Sequence, residues 1–190
     1  MDVGCPLSIN HSAIDTWLKW RRLEGGHRWA RRERDSRAKR LKVVTIAEQP
    51  RLAPAVAEWL LDEFRHALSP SYDEQLAKLI AQEAPEETFV LFDDYVPVGT
   101  ASLVTNDLPS RPDLTPWLAS VLVRPQFRGR GYSAPLIKHV ERAAAPSTAV
   151  LWLYTWSAEP VYARLGWERV GLERDPDRNI EVVLMRRNLS

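Results

Sequence analysis

Beyond residue 41 the apolar positions recur with two periods. Lys42-Val43-Val44-Thr45-Ile46 reads as a first strand. Pro50 and Pro54 stand where a helix can begin, because first-turn N–H groups have no intrahelical partner to lose. Leu52, Val56, Trp59, Leu60 and Phe64 then recur at helical spacing and mark one buried face. A second helix is predicted after Ser69-Pro70. Ser71 and Glu74 have capping-box spacing, and Leu76, Leu79 and Ile80 supply an apolar stripe. Ala84-Pro85 ends that helix.

Shorter runs follow. Thr88 to Phe92 and Val96 to Val104 flank Asp93-Asp94 and read as a hairpin. A polar, proline-rich loop covers Asn106 to Asp113. Trp117 to Val123 is the next strand, Arg124 to Ser133 a turn with glycines, and Ala134 to Ala145 a helix with Leu136, Ile137 and Val140 inward. Pro146-Ser147 stops it. Ala149 to Thr155 is a strand, Ala158 to Leu165 a short helix, and Trp167 to Leu172 and Ile180 to Met185 are strands. The order β-α-α-β-β-β-α-β-α-β-β predicts a mixed sheet with helices on both faces, an α/β or α+β architecture.

The first 41 residues follow neither period for long. Ser12 can cap a short helix with Ile14, Trp17 and Leu18 on one face, and Gly25-Gly26 interrupts it. A run dense in arginine, His27 to Arg40, surrounds Trp29. Residues 1–42 hold 11 Lys or Arg against 5 Asp or Glu, and the rest of the chain 15 against 20. The net charge of +1 therefore hides a basic segment beside an acidic one. The expected organisation is a basic N-terminal extension over 1–41, flexible or partly helical, and one domain over 42–190. A solvated extension with internal Glu–Arg pairs ranks above a nucleic-acid contact.

Composition excludes more than it selects. A chain of 190 residues, 45% hydrophobic and 27% charged, suits a soluble globular protein. The single cysteine, Cys5, allows no internal disulfide and fits a reducing compartment. Met1 to Asn10 lack a basic stretch followed by an apolar run, and no window reaches the ~18 apolar residues of a membrane span. The expectation is a cytoplasmic protein, monomer or homodimer, with no membrane or nucleic-acid partner. His11, His27, His66 and His139 are scattered, so no metal is expected.

The segment Val121-Leu122-Val123-Arg124-Pro125-Gln126-Phe127-Arg128-Gly129-Arg130-Gly131-Tyr132-Ser133 carries the chemistry. A strand runs into a tight turn that opens a helix. The first N–H groups of a helix lack internal partners and its dipole favours negative charge there, so phosphate suits the position. Gly129 and Gly131 let the backbone approach a phosphate and adopt positive φ. Arg128 and Arg130 add charge, and Ser133 offers a hydroxyl. The glycines lack the third glycine and acidic partner of a dinucleotide site, and no Gly-Lys-Ser/Thr is present. The remaining alternative is an ordinary strand-to-helix turn.

Gln126, Gly129 and Gly131 match the Gln/Arg-x-x-Gly-x-Gly/Ala pattern, and the stretch resembles motif A of the GNAT superfamily of acetyltransferases. Tyr162-Ala163-Arg164-Leu165-Gly166-Trp167 resembles the Tyr-x-x-x-Gly-Phe/Trp segment near the end of many members. The element order agrees, and the resemblance covers roughly residues 42–189. Ser133 and Tyr132 depart from it, standing where many members have glycine and an aliphatic residue.

The resemblance implies a mostly antiparallel central sheet, acetyl-CoA as co-substrate and no metal. Its pyrophosphate would be held by Gln126 to Ser133, with Val121, Leu122, Val123, Arg128, Gly129, Arg130, Gly131, Tyr132 and Ser133 as the cofactor-binding set. It implies a neutral amine attacking the thioester beside the fourth strand, where a free backbone N–H near Val121 to Val123 polarises the carbonyl. Tyr162 is the implied acid for the departing thiolate; packing on cofactor or core is the competing role. No base is identified. Asp107 and Asp113 are the nearest loop acids and could bind a cationic acceptor, against a plain solvent-facing position. Trp117, Trp152 and Trp156 compete between lining the acceptor end and burial. Asp113 and Trp117 are the substrate-side candidates. The expected activity is N-acetylation of a small-molecule amine or a protein amino group. A non-catalytic acyl-CoA-binding regulatory module of the same fold is the alternative.

Overall fold

A computed structural model of the chain describes residues 40–65 and 69–189. The expected helix at Ser12 to Leu18 and the arginine run up to residue 39 lie outside the described residues. The strands are β1 (Leu41–Thr45), β2 (Glu87–Asp93), β3 (Val96–Val104), β4 (Trp117–Val123), β5 (Val150–Thr155), β6 (Glu168–Asp175) and β7 (Ile180–Asn188). The α-helices are α1 (Ala53–Phe64), α2 (Tyr72–Ile80), α3 (Ser133–Ala144) and α4 (Glu159–Ala163).

The strands form one sheet in the order β1-β2-β3-β4-β5-β7-β6. Neighbours are antiparallel except β4 and β5, which are parallel because α3 carries the chain back between them. Alternation along β2 shows how both faces are covered. Phe89 and Leu91 pack with Leu136, Ile137 and Val140 of α3. Val90 points the other way, onto Val56 and Leu60 of α1 and Leu79 of α2. This is the mixed, mostly antiparallel sheet with helices on both faces that the element order and the resemblance imply.

Local chemistry explains most boundaries. Pro50–Leu52 forms a 3-10 turn before α1, with Pro54 in the first turn of α1. The Ser71 hydroxyl accepts from the Glu74 N–H, and the Glu74 carboxylate accepts from the Ser71 N–H at 2.8 Å, so the capping box is made. Ile80 is a correction: it is 61% exposed at the last residue of α2, and Leu79 alone of that stripe is fully buried. β6 and β7 run further than their apolar residues indicate. Glu168, Glu173, Arg174 and Arg186 continue the ladder, and Arg186 donates to Glu168 across it at 3.1 Å.

Two irregularities in β4 shape the site. Thr100 faces Leu122 and Ser102 faces Ala119, so Ser120 and Val121 together oppose one residue of β3. That is a β-bulge, and Ser120 has φ 54°, uncommon for a residue with a Cβ. On its other edge β4 shares one registered pair with β5, Trp117↔Trp152, where the Trp152 N–H bonds the Pro116 carbonyl at 3.1 Å. Beyond that pair the two strands share no ladder, and cavities open from the sheet there.

Candidate active site

A cavity of about 290 Å³ lies along the end of β4 and the turn after it, lined by Val121, Leu122, Val123, Arg128, Gly129, Gly131, Tyr132, Ser133 and Tyr162 among others. Gly129 and Gly131 have φ of 75° and 78°, the region glycine enters freely. A Cβ built on either would meet nothing within 4 Å, so the space beside this backbone is open. α3 begins at Ser133 with no side-chain cap, leaving its first N–H groups for a ligand. The turn thus has open space beside it and an uncapped helix start.

The side chains around the turn have distinct roles. Arg128 donates to the Val123 carbonyl at 3.0 Å and also pairs with Glu63 of α1. Arg130 lies 5.6 Å from the centre of the Phe127 ring and is not in the lining. Leu122 buries its side chain among α1 and α2 residues, so what it offers a ligand is backbone. Tyr132 is 3% exposed. Its hydroxyl donates to Asp93, and burial together with that carboxylate pushes the phenol up to about 12.

Tyr162 is placed by both ends of its short helix. Thr155 Oγ1 accepts from the Ala158 N–H at 3.0 Å and starts α4. At the other end Gly166 takes φ 86°, and the chain turns so that the Trp167 N–H bonds the Tyr162 carbonyl at 3.2 Å. Such a left-handed residue after a helix is normally glycine. Trp167 is buried, donates to Glu141 at 2.8 Å, and holds its ring 6.1 Å from that of Tyr162. The phenol is pushed up to about 12 by burial and, secondarily, by the charge of Asp107.

Tyr162, Val121, Ala158 and Glu63 also line a second, larger cavity of about 390 Å³. It extends over Ser120 to residues of α1, α2, β2, β3 and β5. Trp156 stands at its edge between two partners. The Phe64 ring is 6.0 Å away edge-on, and the Arg178 guanidinium sits 5.1 Å from the indole centre. Arg178 in turn donates to Asp175 at 2.8 Å and to the Tyr154 hydroxyl at 3.4 Å. Asp107 also lines this cavity. Burial pushes its carboxyl up to about 7, against the pull of Lys78 and Arg178, with Asp175 adding to the rise.

The substrate-side candidates Asp113 and Trp117 stand elsewhere. Neither lines either cavity. Asp113 is exposed and held by Arg111, which donates to it at 2.9 and 2.8 Å and also pairs with Glu173. Trp117 opens β4 inside the core with no exposed surface, its indole N–H bonded to the Leu114 carbonyl at 2.7 Å. Glu63, Gln82, Ser120 and Arg178 have no signature in the sequence. They reach the cavity from a helix, a loop, a bulge and a hairpin turn.

Among the described residues no group of three or more His, Cys, Asp or Glu side chains could hold a metal ion, and no helix is long and apolar enough to cross a membrane. A sequence model described as the acetyltransferase (GNAT) family matches residues 53–167. No curated protein matches in sequence. The fold resembles spermidine N-acetyltransferase from Vibrio cholerae, solved with CoA and spermine, at TM-score 0.60 and 15% identity over 78% of this chain and 95% of that one. It resembles yncA from Salmonella typhimurium, solved with acetyl-CoA, at TM-score 0.63 and 17% identity over 79% and 94%. An aminoglycoside 6'-N-acetyltransferase complexed with coenzyme A gives TM-score 0.63 and 12% identity over 78% and 97%. At these identities the likeness is one of fold.

Proposed function

The chain belongs to the acetyltransferase (GNAT) family, and from that premise we propose that it transfers an acetyl group from acetyl-CoA to a primary amine by direct attack. The observation that carries this reading is the meeting of two cavities at the gap between β4 and β5. One ends in the glycine turn, the other in polar and aromatic side chains, and Val121, Ala158 and Tyr162 line both.

Each part has a task. The turn Gly129 to Ser133 and the start of α3 hold the pyrophosphate through backbone N–H groups. The bulged backbone of β4 faces the thioester, and its N–H donors on the β5 side stabilise negative charge developing on the carbonyl oxygen. The amine enters from the larger cavity and attacks while neutral. Tyr162 is protonated at neutral pH. A phenol near 12 is a weaker acid than a thiol near ~8.5, so transfer to the departing thiolate is uphill, and it is completed when the tyrosinate takes the proton that the attacking nitrogen must lose. The acceptor is a small amine or a protein amino group.

The test is calorimetric titration with acetyl-CoA, beside the variant Gly131→Trp. Micromolar binding that the variant loses supports the cofactor site, and a screen of amines by thiol release then reads turnover. A folded protein that binds no acetyl-CoA overturns the reading.

A further inference from the structure

Two polar groups in the larger cavity are unused by the reaction as described. Asp107, in the loop after β3, forms no hydrogen bond or ion pair with any described residue. Gln82, in the turn after α2, carries a buried Oε1 with no partner, and both side chains line the cavity. A buried acceptor without a donor, as at Gln82, is rare, because it has lost water and gained nothing. Other polar groups of the same wall are satisfied. The hydroxyls of Thr88 and Ser102 bond each other at 2.9 Å, and Arg178 is matched by Asp175. Lys78 and Arg178 line the same cavity, yet neither forms a hydrogen bond or ion pair with these two acceptors.

We propose that Asp107 and the Gln82 amide oxygen form an ammonium subsite, so that the acceptor is a compact amine carrying a second cationic group. This rests on the acetyltransferase reading above. The position selects the non-reacting group. Val121, Ala158 and Tyr162 mark the end shared with the donor cavity, whereas Asp107 and Gln82 line only the larger one. The attacking amine must be neutral, and a carboxylate holds a bound amine in its charged form. A carboxylate therefore suits the ammonium that anchors. Groups facing Asp107 are Lys78 and Arg178, which favour its ionised form, and Asp175, which opposes it; its own charge raises the phenols of Tyr154 and Tyr162. With a carboxyl near 7, cation affinity rises with pH through neutrality.

The experiment is titration of the CoA-saturated protein at pH 6 and pH 8 with butane-1,4-diamine, butan-1-amine and 4-aminobutanoate. The diamine binds most tightly, and its affinity is about tenfold higher at pH 8 than at pH 6. Asp107→Asn removes both the preference and the pH dependence while CoA affinity stays within twofold. Gln82→Leu, which removes the orphaned acceptor without adding charge, weakens the diamine several-fold. The proposal falls if 4-aminobutanoate matches the diamine at pH 8, which would make Lys78 or Arg178 the anchor. It also falls if Asp107→Asn keeps the preference, or if the CoA-bound protein takes no diamine. Failure to bind CoA at all would instead remove the acetyltransferase reading, and this subsite with it.

Discussion

The two cavities that meet at Tyr162 are built in opposite ways. The smaller draws most of its lining from one stretch of chain, Val121 to Ser133, and offers a ligand mainly backbone. The larger gathers side chains from α1, α2, β2, the loop after β3, β5 and the β6–β7 hairpin. A backbone site recognises what every donor molecule shares, a phosphate, and survives changes in most side chains. A side-chain site can be respecified by one substitution. On the proposed reading, chemistry and choice of acceptor are held by separate parts of one fold, touching at Val121, Ala158 and Tyr162.

The sharpest way to break this division is at the shared residue. Tyr162→Phe is expected to lower kcat by about a hundredfold or more, with acetyl-CoA affinity within twofold by titration. An unchanged kcat would reduce Tyr162 to packing. If no variant of Tyr162 and no amine alters thiol release, the non-catalytic acyl-CoA-binding alternative gains. Gly131→Trp attacks the backbone site alone. Acetyl-CoA affinity falls by about two orders of magnitude, because the side chain fills the space beside the turn's N–H groups. Positive φ adds roughly 1–2 kcal/mol of strain, so Tm drops by a few degrees only.

Smaller effects probe the side-chain cavity. Asp175 is 1% exposed; burial opposes its ionisation, yet hydrogen bonds from Arg178 and the Asp177 N–H hold its carboxyl below the usual range. Asp175→Ala is expected to destabilise by about 2–3 kcal/mol in urea melts, through lost charged hydrogen bonds. A depressed carboxyl stabilises the fold above its unfolded value of ~3.9, and that stability is lost as pH falls through the lower folded value. The variant's stability deficit should therefore narrow in acid below pH 4, and a deficit that widens there contradicts the assignment. Trp156→Ala is the mildest change. It should raise the acceptor KM by about three- to tenfold, in line with a lost cation–aromatic contact, and leave acetyl-CoA affinity alone. A loss of acetyl-CoA binding would show that the two cavities are not separable.

Legibility followed the same division. The capping box at Ser71 and Glu74, the strand-turn-helix around Gly129 and Gly131, and the Tyr162 to Trp167 segment could be read because each is a local device. The capping bonds, the positive φ values and the turn around Gly166 all form within a few residues. The lining of the larger cavity could not be read this way. Asp113 and Trp117 are near β4 in sequence, but Arg111 and the core hold them outside the cavities. Asp107, six residues before Asp113, lines the larger cavity, and nothing in Asn106-Asp107-Leu108 distinguishes it from a solvent-facing loop acid. The bulge at Ser120 has no glycine to announce it.

By itself, the sequence determined the order of elements, the glycine turn that opens α3 and the tyrosine segment, because helix periodicity, capping and glycine turns depend on neighbours along the chain. The tertiary structure alone decided which acid, which tryptophan and which arginine line the larger cavity. Those choices depend on how the β4–β5 gap opens and on what α2 and the β6–β7 hairpin bring to it, since residues as far apart as Gln82 and Arg178 line one cavity and no local pattern encodes that.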